Sequence, residues 1–178
     1  MNRPKIKIEK TVFDKSIEIL TFLLIVGSGI LIGIYYSQLP EKLPIHFNWP
    51  SKDKNGFGTK DLLWASPIIC GLIGIGLHKL NQYPWIFNYP TEINENNAEY
   101  NYRQATQMLR ILNLLIGFLC ISLTLMSVLD GLEIENGLDK YLGPLFPILL
   151  IGLPIFYVIK ILMNKKTMHN RVDGSASN

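Results

Sequence analysis

The sequence predicts an all-α integral membrane protein with four transmembrane helices. Charged residues make up only 17% of the 178 positions, against about 25% in soluble domains. They are missing altogether from four windows, residues 19–39, 62–77, 111–129 and 141–159. A helix of about 20 residues, with a range of about 17–25, crosses the hydrocarbon core of a bilayer. Three windows reach that length, and the second reaches it when its polar ends lie at the interfaces.

A soluble bundle of apolar helices is the competing interpretation. Helices on the surface of soluble proteins carry a polar stripe, whereas helices that are apolar all round are typical of membrane spans. The four windows are apolar all round. The connections between them also leave no stretch for a separate soluble domain, so a single membrane domain is predicted over residues 14–163.

The first span is predicted over residues 17–39. Asp14 and Glu18 lie near the N-terminus of this helix, where the helix dipole favours negative charge. The short basic segment 1–13 precedes the helix, and Pro40 ends it.

The second span is predicted over residues 61–80. His78 lies near its end, beside Lys79, and is placed at the membrane interface. A proton relay through His78 would need a buried carboxylate or a second histidine, and the sequence indicates neither.

The third helix is predicted from Glu95 through a span at residues 108–129, with Asn94 as its N-cap. Its first four turns are polar, so we expect them to extend into the cytoplasm. The fourth span is predicted over residues 141–163 and contains three prolines, which kink helices. Residues 164–178 are predicted to form a flexible cytoplasmic tail.

The distribution of basic residues predicts the orientation. Twelve lysines and arginines lie on the side of the termini and five on the opposite side. Because basic residues resist translocation, both termini are predicted to be cytoplasmic. The basic residues are expected to face anionic lipid headgroups, and no nucleic-acid partner is predicted.

The loop between the first two spans, residues 40–60, is the candidate outer site. It is rich in polar residues, and its prolines and the Asn55–Gly56 turn signal predict a structured loop. The residues predicted to bind a ligand or to hold the loop are Pro44, His46, Phe47, Asn48, Asn55, Gly58 and Lys60.

Catalysis and metal binding are not favoured. One histidine with an asparagine and an aspartate does not make a zinc site, and neither Ser51 nor Ser66 lies in a nucleophile motif. Cys70 and Cys120 are predicted to be small packing residues, since neither has another cysteine or a histidine near it in the sequence. No cofactor is predicted, and a membrane enzyme centred on His46 stays an alternative.

A second specialised segment, with the sequence YPWIFNYP, follows the second span. Its two Tyr-Pro steps and its aromatic residues predict a rigid, extended connection at the cytoplasmic membrane surface. The residues of this motif are Tyr83, Pro84, Phe87, Asn88, Tyr89 and Pro90.

Two motifs in order carry a resemblance to a known family. The stretch LPEKLPIHFN, followed by NGFGTK, resembles the bacterial membrane domain of unknown function 1648. That domain is marked by Leu-Pro-x-x-Ile-Pro-x-His-Phe-Asn and then Gly-x-x-Asp-x-Trp-Gly-Ser-Lys. The later stretch LNQYPWIFNYP, followed by NENNAE, is similar to its second characteristic segment, and the resemblance covers about residues 31–112. The characteristic positions on this match are Pro44, His46, Phe47, Asn48, Gly58, Lys60 and Pro67.

The resemblance implies a function, and one departure limits it. The domain also occurs in SdpI-like proteins, which in Bacillus relatives protect the producer from a secreted toxin and hold a repressor at the membrane. The implied role is therefore binding, sensing or immunity, with a peptide or envelope ligand outside and a cytosolic protein partner inside. Asn55 stands where the family usually has Asp, which argues against acid–base or metal chemistry. A small transporter or transport accessory subunit, using His78 and the kinked fourth helix, is the second alternative.

Overall fold

The computed structural model describes residues 3–44, 56–135 and 137–175. Its helices are α1 (Val12–Tyr35), α2 (Ala65–Leu80), α3 (Ala98–Gly131) and α4 (Asp139–Ser175). Two short strands, β1 (Lys42–Pro44) and β2 (Phe57–Thr59), form an antiparallel hairpin between α1 and α2. Single 3₁₀ turns cover Lys60–Trp64 and Pro84–Ile86.

The predicted all-α membrane fold is confirmed. Four helices are long and apolar enough to cross a membrane: Val12–Tyr35, Lys60–Leu80, Ala98–Gly131 and Lys140–Met163. Large apolar side chains such as Phe22 and Ile151 project from the outside of the bundle and are more than half exposed. In water such a surface would be an interaction patch, whereas in lipid it is the expected exterior. The chain is a multi-pass membrane protein.

The helix α3 is the centre of the bundle, because it packs against each of the other three helices. At 34 residues it is about 51 Å long, more than the roughly 30 Å of a hydrocarbon core. It therefore extends beyond the membrane, as its polar first turns predict.

The helix ends differ from the sequence predictions in three places. The first helix ends at Tyr35 and is followed by a turn over residues 36–38, so it ends before Pro40, the residue predicted to end it. The third helix begins at Ala98 and not at Glu95, because the Asn94 side chain accepts hydrogen bonds from the backbone N–H groups of Asn96 and Asn97. That arrangement is an Asx turn, which precedes the helix instead of capping it. The fourth helix continues to Ser175, through most of the segment predicted to be a flexible tail.

The first helix begins as its sequence indicates. Thr11 is the N-cap, and its side chain and that of Asp14 form a reciprocal capping box. The same Asp14 carboxylate turns towards α3, where it takes part in the charged cluster described below.

Candidate functional site

Specialised side chains lie in three places along α3: at its C-terminal end, at its N-terminal end and in between. The C-terminal end carries the hairpin, and we call this region the hairpin end. The N-terminal end carries residues 82–97 and the N-terminal segment 3–8, which together we call the platform. A charged cluster lies between the two.

At the hairpin end, strand β1 packs directly on α3. Leu43 pairs with Gly58 across the hairpin, and the Leu43 side chain is buried with Leu39 against Val128. A Cβ at position 131 would lie 2.5 Å from Leu43 Cδ2 and 2.6 Å from Leu39 Cδ2, so any side chain there would force these two leucine side chains to move. The side chains of Leu39 and Leu43 therefore occupy the space that a side chain at position 131 would fill, and they attach the hairpin to the end of α3.

Among the polar residues of the predicted outer site, Lys60 lies in the part of the chain that the structure describes. Its ammonium lies 2.8 Å from the Glu41 carboxylate and 4.8 Å from the centre of the Tyr36 ring. Tyr36 in turn donates a hydrogen bond to Asp61. Lys60 thus joins the end of α1 to the start of the second span. Glu41 is largely exposed, so the pair is worth at most about 1 kcal/mol.

The remaining predicted residues of the outer site divide into two groups. Pro44 lies in β1 opposite Phe57, and Gly58 is buried opposite Leu43. Gly56 has a φ of +84°, which agrees with the predicted turn at that point. His46, Phe47, Asn48 and Asn55 lie outside the described residues, so their roles stay predictions.

The platform is held together by the N-terminal segment. The Arg3 guanidinium donates hydrogen bonds to the backbone carbonyls of Trp85 and Phe87 and lies 5.6 Å from the centre of the Tyr89 ring. Tyr89 donates a hydrogen bond to the carbonyl of Pro84. Burial raises the pKa of Tyr89 well above its ordinary value, so this phenol stays neutral and keeps its donor.

Tyr102 of α3 holds the platform at the N-terminal end of this helix. Its side chain is fully buried against Ile93 and Ala98, and its hydroxyl donates a 3.0 Å hydrogen bond to the carbonyl of Pro4. The motif YPWIFNYP is therefore fixed by contacts with the N-terminus and with α3, which the sequence could not indicate.

Removing the Tyr102 hydroxyl tests this attachment. We expect Tyr102→Phe to lower the free energy of unfolding by about 1–2 kcal/mol, because the ring stays buried while the Pro4 carbonyl loses its donor. Tyr100→Phe, on the same helix, is the control and should change stability by less than about 0.5 kcal/mol. Equal effects of the two variants would mean that the Pro4 contact does not hold the platform.

An apolar groove of about 380 Å³ lies between the platform and the helices α3 and α4. The motif residues Phe87, Asn88, Tyr89 and Pro90 line one wall, and Met108 with Ile161 lies on the opposite side. The two other motif residues lie beside it, with Pro84 buried and Tyr83 half exposed. The structure therefore brings four of the six predicted platform residues to one groove.

The charged cluster is the part of the site that sequence reasoning missed. Arg110 of α3 is 5% exposed, and its guanidinium lies 3.3 Å from the Asp14 carboxylate and 3.1 Å from the Glu18 carboxylate, both on α1. Lys10 lies 2.7 Å from the second oxygen of Glu18. Charged groups that are buried at the end of a membrane span are expensive and are usually paired or functional. Here two acids are balanced by two bases.

His78 of α2 joins the cluster. Its Nδ1 lies 3.8 Å from a Glu18 oxygen, so the carboxylate partner that the sequence did not indicate is supplied by α1. A cavity of about 10 Å³ lies beside this pair, which is room for one water molecule. The side-chain oxygens of Asn81 and Asn113 are buried there and have no hydrogen-bond partner within the described part of the chain.

The spacing of Asp14 and Glu18 was the signal that could have identified the cluster. Residues four apart share a face of a helix, and two acids on one face at the edge of an apolar span predict a basic partner on another helix. Arg110, two residues inside the predicted third span, is the matching base.

No family model, no curated protein and no solved structure matches this chain.

Proposed function

We propose that this chain is a non-enzymatic membrane sensor or immunity-type protein that links a ligand-binding loop to a platform on the opposite side of the membrane. The main observation that supports this proposal is that one unbroken helix, α3, contacts both the base of the loop and the platform. Val128 and Gly131 meet the base of the loop, and Ala98 and Tyr102 meet the platform. A ligand that changes how the loop packs acts directly on the helix that supports the platform. Sensing further requires that the ligand favour one of two arrangements.

The resemblance to domain 1648 and to SdpI-like proteins supports the same assignment. On this proposal, the chain lies in a bacterial inner membrane, residues 40–60 face outward towards a secreted peptide or envelope ligand, and the platform faces a cytosolic protein. The excess of basic residues on the side of the termini favours this orientation.

Site-specific labelling tests the orientation. In a background without the native cysteines, Lys52→Cys should react with a membrane-impermeant maleimide added to whole cells, whereas Asn97→Cys should react only after the cells are opened. The reverse pattern would invert the proposed orientation.

A survival assay tests the function. Sensitive Bacillus cells that express the chain should survive spent medium from a strain that secretes a peptide toxin, whereas cells with an empty vector should not. His46→Ala with Asn48→Ala should abolish survival while the membrane level of the protein stays unchanged. Lys140→Ala, a change in the other predicted outer connection, is the control and should keep protection. Full protection by the loop variant would exclude the loop as the ligand site.

Proton-linked transport is a second candidate, favoured by the contact between Glu18 and His78. An imidazole beside a carboxylate and a water-sized cavity is a typical arrangement for proton transfer inside membrane proteins. Proteoliposomes loaded with a pH-sensitive dye should then show a proton flux that His78→Gln reduces at least tenfold. Equal flux with the wild-type protein and with this variant would remove the candidate.

A further inference from the structure

Two asparagine side chains join α2 to α3 next to the charged cluster. Asn81, the C-cap of α2, donates a 3.1 Å hydrogen bond from its amide nitrogen to the carbonyl of Thr106 on α3. Asn113 of α3 donates a 3.2 Å hydrogen bond from its amide nitrogen to the carbonyl of Gly74 on α2. These bonds fix the orientation of both amide groups, because a flipped amide would place its oxygen against a carbonyl oxygen.

The oxygens of the same two amide groups are left as acceptors without a donor. Both oxygens are buried, and neither has a hydrogen-bond partner among the residues that the structure describes. Both side chains line the cavity of about 10 Å³ beside the charged cluster. Because native proteins rarely leave buried acceptors unpaired, this cavity is expected to hold a hydrogen-bond donor.

The charges around the cavity favour a neutral donor over a cation. The two acids of the charged cluster, Asp14 and Glu18, are already matched by two bases. A bound cation would therefore add an uncompensated charge inside the bundle, which is expensive in a membrane protein. Calcium or magnesium would also need about six or more oxygen ligands. Within the described part of the chain, no group of three or more His, Cys, Asp or Glu side chains could hold a metal ion.

We propose that this cavity binds one ordered water molecule that joins α2, α3 and the charged cluster. The two hydrogens of a water molecule match the two unpaired acceptors, the amide oxygens of Asn81 and Asn113. Its oxygen accepts from Arg110, which lines the cavity and has further N–H groups besides those of Nε and Nη1 that face the acids. A buried water typically has about three such partners, and a polar cavity of about this size holds one water.

The water lies at the junction between the second span and the platform. Asn81 is the residue that directly precedes the platform residues 82–97. Apolar packing holds the second span weakly, because only 11% of its most apolar window is buried inside the bundle, compared with 28% for α3. Polar contacts between helices therefore matter more for this span. The bound water, together with the two amide hydrogen bonds, fixes the start of the platform to α3.

A structure of the full-length protein in lipid nanodiscs, at a resolution that shows ordered waters, tests the site directly. One peak is expected within about 2.5–3.0 Å of the amide oxygens of both Asn81 and Asn113. The peak should stay unchanged when thallium(I) replaces the monovalent cations of the buffer, because a neutral molecule does not exchange with a cation. A cavity without a peak, or a peak that thallium occupies, would overturn the proposal.

A double-mutant cycle tests the shared water in a second way. Asn81→Leu and Asn113→Leu keep the size of the side chain and remove its amide group. In SDS titrations, each change alone should raise the equilibrium constant for unfolding about tenfold, because it removes a hydrogen bond and displaces the water. Both changes together should raise it at least about threefold less than the product of the two separate effects, because the water can be lost only once.

The matched control cycle combines Asn81→Leu with Thr124→Val. Thr124 is also a buried polar residue of α3, at 2% exposure, but it lies about three turns beyond Asn113. The effects of these two changes should multiply, as expected for distant sites. If a leucine variant does not fold, the corresponding alanine variant replaces it. Effects of the Asn81 and Asn113 changes that multiply as in the control cycle would overturn the proposal that one water bridges the two side chains.

Discussion

Replacing Arg110 with methionine is expected to lower the free energy of unfolding by about 3–5 kcal/mol. The physical reason is that Asp14, which is buried, loses the guanidinium that pairs it, while Glu18, which is 21% exposed, keeps Lys10 as its ion-pair partner. Breaking a buried ion pair by removing one partner carries a penalty of this size, because the remaining charge cannot recover its hydration. Methionine keeps the length and apolar stem of the arginine side chain, so lost packing contributes little.

Unfolding of the purified protein in mixed micelles, titrated with SDS, measures this change. Arg103→Met is the matched control on the same helix, because Arg103 is 40% exposed and lies 3.9 Å from the exposed carboxylate of Glu99. An exposed pair contributes about 0–1 kcal/mol, so the control should remain close to the wild-type protein. Similar losses for the two variants would mean that Arg110 is not part of a buried pair.

A rescue experiment shows whether the loss of stability in Arg110→Met comes from unpaired charge or from lost packing. Adding Asp14→Asn and Glu18→Gln to Arg110→Met removes the uncompensated negative charges together and leaves Lys10, which is 36% exposed and stays hydrated. Replacing buried ionic partners together is often nearly neutral. We therefore expect the triple variant to recover at least half of the loss. The residues are in contact, so this interaction energy is the non-additive part of the three changes. A triple variant less stable than Arg110→Met alone would contradict a charge-based explanation.

The number and order of the helices followed from the sequence because membrane spans are local. A run of about 20 residues without charge is by itself a sign of a membrane span, and four such runs predicted the four helices. The Asn55–Gly56 signal likewise agreed with the positive φ of Gly56. Each of these predictions depends on residues that are neighbours in the sequence.

The charged cluster did not follow, because it joins different helices. In the sequence, no carboxylate lies close to His78. The packing of α1 against α2 places Glu18 beside it. The error at Asn94 has another cause, because asparagine side chains stabilise turns and helix caps by the same hydrogen bonds. Only the position of the first helical residue distinguishes the two.

The Gly131→Ala variant is expected to detach the hairpin from α3. Alanine is the better helix former by about 1 kcal/mol, and in the absence of close neighbours the change would be stabilising. At this position, however, the new methyl group would lie within 2.6 Å of the Leu39 and Leu43 side chains, which are both buried. Overpacking of a close-packed site costs about 1–3 kcal/mol, so after the gain in helix propensity we expect a net loss of up to about 2 kcal/mol in the free energy of unfolding.

Gly33→Ala is the matched control, because Gly33 also lies in the last turn of a helix and a Cβ there would have no atom within 4 Å. This control should be neutral or stabilising by up to about 1 kcal/mol. Hydrogen exchange should show where the two variants differ. In Gly131→Ala, the backbone amide of Lys60, which donates to the Glu41 carbonyl beside the hairpin, should exchange faster than in Gly33→Ala. Faster exchange at the platform as well would mean that the two ends of α3 are coupled, and that result would strengthen the proposal that this helix carries a signal between them.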